Sequence, residues 1–189
     1  MARWQPHAPE RLVVAALDLF EERGYESTTV IEIAERAGLT KSTFFRHFPD
    51  KREVLFGGDA MAGLLAGGIA DAPATATPLE AVAHALDVVG REAFTAERRE
   101  FSARRRVVIA ANPELREREA LKGLGLTAAM AEALEERGVP DPASRVAAQL
   151  GALVMALAYE RWCGPAEETA FGEAVRQALH QVRAATAAS

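Results

Sequence analysis

The stretch from Arg36 to Arg52 holds five basic side chains (Arg36, Lys41, Arg46, Lys51 and Arg52) against one acid, Asp50. Guanidinium and ammonium groups gathered this way suit a polyanion, and DNA phosphate is the commonest. The excess is local. The chain has 189 residues and a net charge of -5, with 22 Lys and Arg against 27 Asp and Glu. A basic patch in an acidic chain singles out one surface for nucleic acid and excludes the rest.

The groups that catalysis or metal binding needs are scattered. His7, His47, His84 and His180 lie far apart, and none stands at ligand spacing with the single cysteine, Cys163. Gly57-Gly58 and Gly67-Gly68 sit inside an apolar stretch, not in a phosphate-cradling loop. The expectation is no enzyme, no metal and no cofactor. One cysteine allows no internal disulfide. The longest apolar run, Ala60 to Ala70, falls short of the ~20 residues that span a bilayer. The expected setting is the cytoplasm, away from membranes.

The elements that position the basic patch can be read from helix punctuation. Alanine is abundant and β-branched residues are sparse, which favours helix over strand. Thr29-Val-Ile-Glu32 has the form of a capping box, and Asp50-Lys-Arg-Glu53 a weaker one. Thr77-Pro78-Leu-Glu80 adds proline at the first helical position. Gly24 and Gly38 follow helical stretches as candidate terminators. The reading is all-α with about nine helices, over 8–23, 29–36, 40–46, 50–69, 78–95, 97–111, 113–137, 142–163 and 166–184. Residues 1–50 form a three-helix helix-turn-helix domain, linked by the 50–69 helix to a ligand-binding and dimerisation domain over 51–189.

Val30, Ile33, Ala34 and Ala37 make one apolar stripe on the second helix, and Leu12, Ala16, Leu19 and Phe20 make another on the first. On the third, Phe44 and Phe48 stand four apart and should face inward. Lys41 and Phe45, like Ser42 and Arg46, stack on the other face. A helix of this size fits the major groove. On an arbitrary helix the same charges would be solvated surface.

The run TTVIEIAERAGLTKSTFFRHFPDKREVL, with the upstream AALDLFEERGYESTT, resembles the DNA-binding domain of TetR-family regulators. The match covers about the first 56 residues. The resemblance implies that Lys41, Ser42 and Thr43 face bases and phosphates and that Lys51 clamps a phosphate. It implies that His47 reaches the backbone, with Arg46 adding charge and Thr29 a helix cap at the DNA. Phe45 falls where family members usually have a phosphate-binding tyrosine, and Val30 where some have threonine. Both of those contacts are lost here.

The remaining 130 or so residues carry no such motif. Val146, Leu150, Leu153 and Leu157 form an apolar face, and Phe171, Val175, Leu179 and Val182 form another. The resemblance implies that these two helices build a homodimer, whose symmetry would match a palindromic operator. Phe94, Phe101, Arg105, Met130, Met155 and Tyr159 are candidate lining for a small apolar effector. The segment ERREFSARRR, Glu97 to Arg106, has five arginines against two glutamates. It reads either as an anion site for coenzyme A phosphates or as a solvated face with pairs such as Glu100 to Arg104. The run RRRVVIAANPELREREALK weakly resembles acyl-CoA-responsive members of the family. The function expected is a TetR-type transcriptional repressor released from its operator by an effector. The alternative is a helix-turn-helix module that binds other proteins and no operator.

Overall fold

The structure is a computed structural model and describes residues 8–56, 60–164 and 169–187. Among the described residues are nine α-helices and no strand. They are α1 (Ala8–Arg23), α2 (Val30–Arg36), α3 (Lys41–His47), α4 (Ala60–Ala70), α5 (Pro78–Glu92), α6 (Arg99–Ala111), α7 (Pro113–Glu136), α8 (Ala143–Trp162) and α9 (Phe171–Ala187). The fold is all-α, as the composition and capping pattern imply.

Local chemistry fixes several starts. Thr29 caps α2: its hydroxyl accepts from Glu32 N at 3.2 Å, and the Glu32 carboxylate accepts from Thr29 N at 2.8 Å. Thr77 and Glu80 do the same for α5, with Pro78 next to the cap. The fourth helix departs from expectation. Instead of starting at 50, the chain makes a turn and a 3-10 segment over Glu53–Leu55, and α4 begins at Ala60, with 57–59 outside the described residues. The reason is local. Asp50 Oδ1 accepts from Glu53 N at 3.0 Å, while the Glu53 carboxylate accepts from Arg118 Nε at 2.7 Å. The turn closes with a tighter bond, Phe56 N to Glu53 O at 3.0 Å.

The chain divides into two compact units, residues 1–57 with 104–120, and residues 58–103 with 121–189. In the first, α1, α2 and α3 pack on one another around Leu12, Ala16, Phe20, Ile33, Ala34 and Phe44. In the second, α5 is the central helix, in contact with α4, α8 and α9. Its core includes Val82, Leu86 and Val89 with Val154, Trp162, Phe171 and Val175. At one end Phe94 lies 4.5 Å from Phe171, 5.3 Å from Tyr159 and 5.4 Å from Trp162, centroid to centroid, within the range of favourable ring packing.

Alpha-4 is held from both sides. Leu65, Gly68 and Ile69 are buried in the second unit. Arg137 covers its C-terminal end, donating to the carbonyls of Ile69, Ala70 and Ala72 at 2.9–3.1 Å and to Pro73 O at 2.9 Å. Carbonyls at a helix end lack the next turn's N–H groups, and the guanidinium supplies donors there. Gly68 meets α5 directly: a Cβ added there would stand 2.6 Å from Ala85 Cα.

Gly68→Ala is therefore expected to lower unfolding free energy by about 1–3 kcal/mol, the usual cost of overpacking. Gly63, in the same helix, has nothing within 4 Å of its would-be Cβ. Gly63→Ala should stabilise by about 0.5–1 kcal/mol through helix propensity. Urea denaturation of both variants checks the pair. Equal effects of the same sign would contradict the close approach at Gly68.

Candidate nucleic-acid interface

The third helix has seven residues, Lys41 to His47. Thr40 caps it, its hydroxyl accepting from Thr43 N at 3.1 Å. Phe44 is fully buried and Phe48, just beyond, nearly so, with rings 5.6 Å apart. These two anchors fix the helix rotation. Lys41, Ser42, Phe45, Arg46 and His47 are then exposed. Phe45 is 47% exposed, unusual for a large apolar ring, and lies 5.9 Å from the Lys41 ammonium. Thr43 is half-buried, its hydroxyl 3.0 Å from that of Thr40. The structure thus brings five of the eight sequence candidates onto one open face.

The other three are engaged in holding the domain. Thr29 is exposed, but its hydroxyl both caps α2 and donates to Glu32 at 2.8 Å. Thr43 is tied to the α3 cap. Lys51 is bonded within the unit. Its Nζ donates to Tyr25 O at 2.8 Å and Thr28 O at 3.1 Å, and sits 4.0 Å above the Tyr25 ring. The ammonium closes the loop between α1 and α2, which leaves carbonyls without helical partners. Burial pushes the Tyr25 hydroxyl above its ordinary range, helped by Glu114 nearby.

Sequence reasoning missed the arginines that brace this unit. Arg11 donates to Ala37 O at the end of α2, beside the turn at Gly38, whose φ of 65° suits glycine. Arg104 pairs with Asp18 at 2.6 Å and with Glu21, not with Glu100. Arg118 Nε donates to Glu53 at 2.7 Å, and the Glu53 side chain is only 10% exposed. The pairs join residues 65 to 86 positions apart, beyond the reach of local patterns. A buried acid so close to a capping signal was the available hint. At the exposed Arg36, hydrogen bonding to Glu22 raises the guanidinium pKa and lowers that of the carboxyl.

In the arginine-rich segment, Arg99, Arg104 and Arg105 are engaged with protein partners. Arg99 donates to Trp162 O at 2.8 Å and Gly164 O at 2.9 Å, covering the end of α8. Arg105 donates to Leu55 O at 2.6 Å and lies 5.0 Å from the Phe56 ring, so it serves the first unit. The other effector candidates are in the second unit: Phe94 and Tyr159 touch, Met130 is fully buried, and Met155 and Phe101 are half-buried. Tyr159 also donates to Ser102 O at 3.2 Å.

The residues of the expected dimer face differ in burial within the chain. Phe171, Val175 and Val182 are buried in the chain's own core, because α9 turns its apolar stripe toward α5 and α8. Val146 and Leu153 are 56% and 48% exposed, and Leu150, Leu157 and Leu179 are half-buried.

A three-helix unit with an internal anchor at Phe44 and a short polar helix on its surface is a helix-turn-helix. Residues 12–56 match the family model "Bacterial regulatory proteins, tetR family". The chain is 40% identical over 81 residues to the HTH-type transcriptional regulator TcmR of Streptomyces glaucescens, covering 42% of this chain and 36% of the relative. It is 41% identical over 44 residues to the HTH-type transcriptional activator FasR of Mycolicibacterium smegmatis, covering 23% and 20%. The matches thus span about a third or less of those relatives' lengths. Among solved structures, Thermus thermophilus FadR, a TetR-family transcriptional repressor in complex with lauroyl-CoA, superposes with a TM-score of 0.52 at 26% identity over 93% of each chain. The SmeT–triclosan complex superposes at 0.62 with 20% identity, over 95% of this chain and 91% of that one, which shows a shared fold.

Arg118→Met would remove the Arg118 ion pair from the nearly buried Glu53 carboxylate. A loss of about 1–3 kcal/mol in unfolding free energy is expected, partly recovered by adding Glu53→Gln. Denaturant titration of the two single variants and the double variant measures the coupling. Strictly additive effects would remove the bracing role from this pair.

Proposed function

We propose that the chain is a ligand-responsive transcriptional regulator that binds DNA through α3. The carrying observation is the exposed face of Lys41, Ser42, Phe45, Arg46 and His47 on a helix anchored by Phe44 and Phe48. Phosphate contacts supply affinity and base-edge contacts supply sequence preference. Lys41 and Ser42, at the helix start, are the base readers, and Arg46 and His47 the backbone contacts. Lys51 acts indirectly, by holding the α1–α2 loop. DNA reading is assigned to residues 1–50, and effector binding with dimerisation to 51–189.

The regulator acts as a cytoplasmic homodimer on a palindromic operator, with half-sites ~34–36 Å apart. The partner surface is the α8 stripe of Val146, Leu150, Leu153 and Leu157, joined by Leu179. The effector is a small apolar molecule, an acyl-CoA among the possibilities, held by Phe94, Phe101, Met130, Met155 and Tyr159. The ligands of FadR and SmeT support an apolar class. The arginines engaged with protein partners give no support to a phosphate subsite in the 97–106 segment. The chain is a repressor, and effector binding releases it by favouring the state that does not fit the operator. No catalytic step is assigned.

Titration against the sequence upstream of its own gene, at several salt concentrations, tests the reading. Log affinity should fall linearly with log salt, by ~0.9 per phosphate neutralised. Lys41→Ala should cut that slope by about one and relax base preference. Phe45→Tyr restores a hydroxyl on the open face and should tighten binding roughly three- to tenfold. A salt-independent, sequence-blind interaction would favour the protein-binding alternative and sink the regulator reading.

A further inference from the structure

On the outer side of α8 and α9 lies a polar hollow of about 420 Å³, lined by Arg161, Glu173, Arg176, Gln177, His180 and Gln181. Donors outnumber acceptors there. Two guanidiniums, an imidazole and two amides surround one carboxylate. That carboxylate is already occupied: Glu173 accepts from Arg176 at 2.6 Å and 3.1 Å and from Gln177 at 3.1 Å. These contacts hold the Glu173 carboxyl below its ordinary range, the Arg176 hydrogen bond contributing most.

Arg161 is differently placed. Its Nη2 makes one long bond, 3.3 Å, to Gln181 Oε1. Its Nη1 is buried and, among the described residues, is the buried side-chain polar atom left without a hydrogen-bond partner. A guanidinium keeps its charge, so it cannot relieve burial by losing a proton. Buried donors in folded chains are nearly always satisfied, and an exception points to an acceptor that completes the site. The planar fork of arginine matches two oxygens on one centre.

We propose that this hollow is an oxyanion site, in which Arg161 binds a carboxylate or phosphate group. His180 and the amide N–H groups of Gln181 line the same hollow as further donors, and Arg176 adds positive field. The segment 97–106 suggested an anion site by composition, yet Arg99, Arg104 and Arg105 are engaged with protein partners. The arginine with a buried, unpaired nitrogen is Arg161. The oxyanion comes either from solution or from an acidic side chain of a second copy. Arg161 lies four residues past Leu157, on the stripe that carries Val146, Leu150 and Leu153. The second source rests on the proposed homodimer; the first does not.

The test uses the full chain, titrated with inorganic phosphate against chloride at matched ionic strength. Readouts are thermal unfolding, the Arg161 Nε–Hε NMR resonance, and sedimentation equilibrium at each salt. A free oxyanion predicts a saturable, phosphate-specific rise in Tm with movement of the Arg161 resonance. The response disappears in Arg161→Met and weakens roughly tenfold in Arg161→Lys, which keeps charge but not the fork. An oxyanion from a second copy predicts no phosphate response but salt-sensitive self-association. Arg161→Met then weakens association roughly tenfold and flattens its salt dependence. Phosphate behaving as chloride does, together with self-association indifferent to Arg161→Met and Arg161→Lys, overturns the proposal. The two readings fail separately. A dimer broken by Leu153→Asp but blind to Arg161 and phosphate contradicts the oxyanion site alone. A monomer that binds phosphate saturably contradicts the dimer alone. Should Arg161→Met not fold, the wild-type titration and Arg161→Lys still decide.

Discussion

A helix of seven residues does not form by itself in water. Nucleation is too costly and each hydrogen bond returns too little for so short a segment to persist. The helix that presents Lys41, Ser42, Phe45 and Arg46 must therefore borrow its geometry from what it packs on. Phe44 and Phe48 bury their rings, Thr40 closes the first turn, and Gly38 turns the chain toward it. The polar face is what remains once those anchors are placed. Its precision is the precision of the core beneath it.

The same dependence explains how an acidic chain can hold a basic surface. Most of the arginines followed here face inward or toward acids, where they satisfy carbonyls or carboxylates. Arg11, Arg99, Arg105 and Arg137 complete helix ends and turns, and Arg104 and Arg118 meet acids far away in sequence. Charge engaged in this way is largely cancelled at a distance. The uncancelled positive charge on α3, small in number, then dominates the local field. Composition alone cannot separate the two uses of arginine, because both draw on the same residue type.

What was legible followed from how local the cause is. The capping boxes at Thr29 and Thr77 span four residues each, so the chain states them openly. The burial of Phe44 and Phe48 follows from helical spacing, as does the open face opposite. The fourth helix was misread because Asp50 and Glu53 look like a box while Glu53 answers to Arg118. The bonds of Lys51 to Tyr25 O and Thr28 O were not legible, because these acceptors are backbone atoms of a distant loop. Periodicity on α9 showed an apolar stripe but not its partner. Phe171, Val175 and Val182 turned out to serve the chain's own core.

The contact at Gly68 has a mechanical meaning. Most helix pairs touch through side chains, which bend and change rotamer, so a small push on one is partly absorbed before it reaches the other. Where Gly68 of α4 lies against Ala85 of α5, backbone meets backbone with no such cushion. The junction behaves as a stiff bearing. The helices can pivot about that point, but they cannot be pressed closer, and a sideways displacement of one is handed to the other almost undiminished.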